Sequence, residues 1–183
     1  FNQDISDWST GQGIYFASMF ERASVFNQDI SNWDTSKSTQ MSSMFLLASD
    51  FNQDISNWDT SETTTMASMF YLAEEFNANI SNWDVSKVTS FNSMFRKAYT
   101  FNQDISDWDT GQSLTFALMF SDASSFNQNL QSWDTSNATI MTQMFWNSVT
   151  TSLFTNNNQP LTSSYYNKHG REYLSWDTRN VYA

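Results

Sequence analysis

The chain repeats itself every 25 residues. Copies begin at Phe1, Phe26, Phe51, Phe76, Phe101 and Phe126, with no insertion between them. A fixed period of this length means units that cannot each bury a core alone and must stack on their neighbours. Residues 1–150 therefore read as six repeats of a solenoid. Residues 151–183 read as a degenerate seventh repeat with an insertion, serving as a possible C-terminal cap, because Ser175-Trp176-Asp177-Thr178 recovers one step of the repeat.

The third copy shows two periodicities. Phe51, Gln53 and Ile55 alternate with Asn52, Asp54 and Ser56, which predicts a short strand around 53–56. Met66, Met69, Phe70 and Ala73 fall at i, i+3, i+4 and i+7, which predicts one face of a short helix or helical turn. Thr64, like Thr39, Thr89 and Thr139 in their copies, stands where an N-cap would be needed. Trp58-Asp59-Thr60-Ser61 supplies the turn between them. The expectation is an α/β repeat with one strand and one helix per coil. Helices need about 8–10 Å per layer and strands about 4.8 Å, so such a solenoid curves, with its strands on the concave side. Stacking in register aligns each column with itself: Trp8, Trp33, Trp58, Trp83, Trp108 and Trp133 in one ladder, and Met19, Met44, Met69, Met94, Met119 and Met144 in another.

Composition narrows the chemistry. There is no Cys and one His, and acidic residues outnumber basic ones 19 to 8 for a formal charge of −11. A disulfide framework and a multi-histidine metal site are excluded. The charge argues against nucleic acid or an anionic membrane surface as the main partner. No segment has the roughly 18 consecutive apolar residues of a membrane-spanning helix. The chain opens on Phe1-Asn2-Gln3-Asp4 without a signal peptide or initiator Met, so a fragment or processed product is expected.

The pattern Phe-Asn-Gln-Asp-Ile-Ser-x-Trp-Asp-Thr-Ser, followed by Met-x-x-Met-Phe-x-x-Ala, resembles the BspA-like leucine-rich-repeat surface proteins, also described as mycoplasma-type lipoprotein repeats. The resemblance spans residues 1–150 and touches 176–183. It implies a leucine-rich-repeat-like solenoid on secreted or cell-surface proteins, with adhesion and protein recognition as its roles and no catalysis. The chain departs from the commoner bacterial form. It uses Phe and Trp where Leu and Phe are frequent, and Ala23, Ala48, Ala73, Ala98 and Ala123 where Cys is often found.

Two acidic columns stand out. Asp4, Asp29, Asp54 and Asp104, completed by Asn79 and Asn129, occupy one position of the repeat. Carboxylates stacked about 5 Å apart repel by about 0.8 kcal/mol per neighbouring pair in water. Hydrogen bonds from the Ser6, Ser31, Ser56, Ser81 and Ser106 column, solvent, a basic partner or calcium could offset this. This column is a candidate partner-binding face. Calcium is the one cofactor the sequence leaves open, without any recognised calcium-loop spacing. The second column, Asp34, Asp59, Asp84, Asp109, Asp134 and Asp177, reads as turn chemistry. The Asn2, Asn27, Asn52, Asn77, Asn102 and Asn127 column reads as a ladder that satisfies backbone groups.

The residues after each Met-Phe vary, and Leu46, Leu47, Tyr71 and Leu72 form a candidate apolar patch for a partner, or pack beneath a flanking segment. The Thr10, Thr35, Thr60, Thr110 and Thr135 column raises ice binding. His169 lies beside Lys168 and Arg171 and reads as a surface residue. Asn79-Ile80-Ser81 and Asn137-Ala138-Thr139 match the N-glycosylation sequon. The expectation is a non-catalytic recognition or adhesion module, extracellular or on a cell surface, that binds a protein or glycan. The alternatives are an assembly protein that self-associates through its ends, and a calcium- or ice-binding surface.

Overall fold

The computed structural model describes residues 1–148, that is, five complete coils and most of a sixth. The expected seventh repeat and His169 lie outside the described residues.

The coils stack in register, but not as an α/β repeat. Among the described residues there is no helix. The only β pairing among these residues is a row of isolated parallel bridges linking Tyr15, Gln40, Thr65, Ser90, Thr115 and Ile140. The leucine-rich-repeat-like solenoid with a strand and a helix per coil is therefore corrected on both elements. Residues 53–56 form no strand, and the single paired residue of the coil is Thr65, ten positions later.

The expected helix at 66–73 is replaced by successive turns. Met69 N–H donates to Met66 O, Tyr71 N–H to Ser68 O and Ala73 N–H to Phe70 O. The intervening N–H groups leave the coil: Met66 donates to Ser90 O, Ser68 to Asn92 O, Phe70 to Met94 O and Leu72 to Arg96 O. The same four bonds, 2.6–3.2 Å long, recur at every junction from coil one to coil six. Two residues per coil make this possible by adopting φ between 53° and 61°, for example Ser68 and Leu72. None of them is glycine, so each carries a cost of roughly 1–2 kcal/mol. The cross-coil bond made by the same residue's N–H offsets it.

The buried set still follows the sequence. Met66, Met69, Phe70 and Ala73 are fully buried, because turns closing over three residues bring the same positions inward as a helix would. A helical layer, however, is about twice as thick as a strand layer. A coil that is bonded to its neighbour all the way round cannot accommodate both. Turns remove the thick helical layer, and the argument for a curved stack with a concave strand face disappears with the helix.

Aromatic columns fill the interior. Where one coil passes into the next, Phe45 stacks on Phe51 and Phe70 on Phe76, each with centroids 3.8 Å apart. Between coils, Phe45 meets Phe70 at 5.5 Å and Phe51 meets Phe76 at 6.0 Å. The Trp ladder is present: Trp33 and Trp58 lie 6.4 Å apart at 5°, and Trp58 and Trp83 6.4 Å apart at 1°. From Trp33 onward each indole N–H donates to the Ile carbonyl of the preceding coil, as Trp58 to Ile30 and Trp83 to Ile55, both at 3.1 Å. This bond satisfies a polar atom that would otherwise be stranded in the core.

Candidate functional site

The first candidate column sits at a corner, not on a strand. Asp54 accepts the Ser56 backbone N–H at 2.9 Å, and Asp4, Asp29 and Asp104 take the same bond from Ser6, Ser31 and Ser106. Asn79 accepts from Ser81 N–H and Asn129 from Gln131 N–H in the same way. Each is an Asx turn, in which the side chain bonds backbone two residues on. The Ser N–H first, and the Ser hydroxyl second, hold the Asp4, Asp29, Asp54 and Asp104 carboxyls below the ordinary range. For Asp29 the neighbouring Asp54 and Asp4 charges push upward, but less strongly. The carboxylates are thus exposed, ionised and positioned by their own turns. At Asp29 the turn hydrogen bonds outweigh the repulsion of its neighbours in the column. Among the described residues no group of three or more His, Cys, Asp or Glu is arranged to hold a metal ion.

The second Asp column does the same work at the next corner. Asp34, Asp59, Asp84, Asp109 and Asp134 accept the N–H of Ser36, Ser61, Ser86, Gly111 and Ser136. The Ser hydroxyls at 2.7 and 2.6 Å are the main cause of the lowered Asp34 and Asp84 pKa.

Beside the first column runs the Asn ladder. The Asn52 side-chain oxygen accepts Asn77 N–H at 2.8 Å, and Asn77 accepts Asn102 N–H at 2.9 Å. Gln103 also donates to Asn77, at both its backbone and side-chain oxygens. Here side chains make the coil-to-coil bonds that a strand would make through its backbone.

The apolar candidate residues lie on a different side of the coil. Leu46, Leu47, Tyr71 and Leu72 are half-buried, and the Leu47 N–H donates to the Tyr71 carbonyl across the coil junction. The Arg96 guanidinium lies 5.3 Å over the Tyr71 ring. The structure does not bring this strip together with the Asp column. The variable pairs Glu21-Arg22, Leu46-Leu47, Tyr71-Leu72, Arg96-Lys97, Ser121-Asp122 and Trp146-Asn147 occupy equivalent places in successive coils. In every copy their second member has positive φ. Nothing in the sequence marked these positions, because positive φ usually announces itself as Gly or Asn.

Two further expectations are corrected. Thr35, Thr60, Thr110 and Thr135 are at most 2% exposed, and Thr60 donates to Asp84 O in the next coil. That column offers no surface to ice. Thr64 and Thr89 cap no helix, and their hydroxyls donate to the carbonyls of Thr39 and Thr64 one coil back.

With this geometry in place, the comparisons are specific on one point. A family model described as a Mycoplasma protein of unknown function, DUF285, matches residues 1–78 and 48–159. The chain belongs to the DUF285 family. No curated protein and no solved structure matches it. Family membership agrees with the mycoplasma-type repeat named from the sequence and brings no activity with it.

Proposed function

We propose that this DUF285 chain is a non-catalytic recognition module, displayed outside the cell or on its surface, that binds a protein or glycan. The observation that carries the reading is the division of labour in each coil. Between positions equivalent to 66 and 72 every junction is tied by the same four backbone bonds, so the outward-facing side chains there are free to differ. They do differ, from Leu46-Leu47 through Tyr71-Leu72 to Arg96-Lys97, on a frame that does not. A constant backbone carrying varied side chains on one face is what a binding surface requires. The resemblance to BspA-like surface proteins supports the same role and the extracellular setting.

The test is direct binding of labelled protein to glycan arrays and purified extracellular-matrix proteins, beside a Tyr71→Ala/Leu72→Ser variant of matched melting temperature. Saturable binding that the variant loses is the expected result. Binding that the variant keeps, or none at all, contradicts the proposal.

A further inference from the structure

The two glycosylation sequons sit in different surroundings. Asn79 is exposed at the corner column where four other copies carry Asp. Its side-chain oxygen is committed to the Ser81 N–H at 3.0 Å. Its amide nitrogen makes no hydrogen bond among the described residues. Ser81 supplies the hydroxyl residue of the sequon two positions on. The Asx turn thus keeps the oxygen folded against the backbone and leaves the Asn79 nitrogen free. Asn129, in the same column, is followed by Leu130 and Gln131 and lacks the hydroxyl residue. Asn137 has the sequon, but its amide nitrogen donates to Gly111 O of the preceding coil at 2.6 Å. A sugar there shares its nitrogen with that bond and crowds the neighbouring backbone.

We propose that Asn79 is an acceptor for an N-linked oligosaccharide and that Asn137 is not occupied in the folded product. The proposal rests on the extracellular reading only for where the chain would meet a transferase. The donor is a lipid pyrophosphate-linked oligosaccharide. The Asn79 nitrogen attacks C1 of its terminal sugar. The C1–N bond forms and the C1–O bond to pyrophosphate breaks. The lipid pyrophosphate leaves with the electron pair, and the amide proton passes to a base of the transferase. Ile80, the middle residue of the sequon, is fully buried, so transfer precedes closure of coil four. The fold then decides which modified chains can close. At Asn79 all coil-to-coil bonds remain available.

The test is expression of the whole chain behind a cleavable leader in a glycosylating secretory host. Variants are Asn79→Asp, Ser81→Ala and Asn137→Asp. Asn79→Asp installs the residue that other copies carry and so keeps the turn. Mass is read on the intact protein and its peptides, before and after an amidase that releases the glycan and leaves aspartate behind. One glycan on the wild type and on Asn137→Asp, absent from Asn79→Asp and Ser81→Ala, is the expected result. An unmodified folded wild type, or a glycan on Asn137, overturns the proposal. Both outcomes are read in the leader-driven host, so neither depends on where the natural chain resides, which fractionation of the natural source decides separately.

Discussion

The two halves of each coil solve one problem by different means. Around Phe51–Ser61 the coil is tied to its neighbours by side chains: the Asn52 oxygen, the Trp58 indole and the Thr60 hydroxyl. Around Met66–Ala73 every junction is tied by the same four backbone bonds, two of them from residues held at positive φ. Identity is fixed in the first half because each bond needs a particular side chain. It is free in the second half wherever a side chain points outward. The difference explains why Phe-Asn-Gln-Asp-Ile-Ser recurs almost unchanged while Leu46-Leu47 becomes Arg96-Lys97 two coils later.

Substitutions can break that comparison at several levels. The strongest effect belongs to the column both halves share. Phe70 is fully buried against Phe76, Phe45 and Phe95, and Phe70→Ala should cost about 3–5 kcal/mol in denaturant unfolding. Asn52→Ala leaves the Asn77 N–H without its acceptor and should cost about 1–3 kcal/mol. Lys97→Ala, in the backbone-tied half, should stay within about 0.5 kcal/mol of wild type by the same assay. Equal costs for these two would erase the distinction between the halves.

A β-branched residue tolerates positive φ poorly. Ser68→Val should therefore lose about 1–2 kcal/mol, while Ser68→Gly stays close to wild type. Thermal melts of both variants check the pair. The smallest effect is expected at Asp54. Its folded pKa is lowered by the Ser56 N–H, so its contribution is present above the unfolded value near 3.9 and is lost as pH falls through the folded one. Asp54→Asn, the residue native at 79 and 129, keeps the turn. It should match wild type at neutral pH and lose less stability in acid. An unaltered acid limb in a pH-melting series would contradict this.

The period, the inner columns, the Asn ladder and the turns of the second Asp column were legible in the sequence because identical residues recurring every 25 positions must meet in a stack, whereas the first Asp column reads as part of a strand and proves to be a turn as well. The missing helix was not. Met66, Met69, Phe70 and Ala73 lie inside whether the chain winds as a helix or as linked turns, so their spacing cannot separate the two. Layer thickness bears on the choice, since a helix needs about twice the room of a strand. The positive-φ positions carried no glycine to reveal them. The apolar strip at Leu46, Leu47, Tyr71 and Leu72 was found as a set of residues, but its half-burial depended on where the turns aim them.

The central claim is that residues 66–73 bond outward to the next coil and not along a helix. Scalar coupling across hydrogen bonds in isotope-labelled protein tests it at one residue. The Phe70 amide nitrogen should couple to the carbonyl carbon of Met94, 24 residues ahead, across a 2.9 Å bond. A coupling from Phe70 to Met66 instead would mean a helix and would contradict the account.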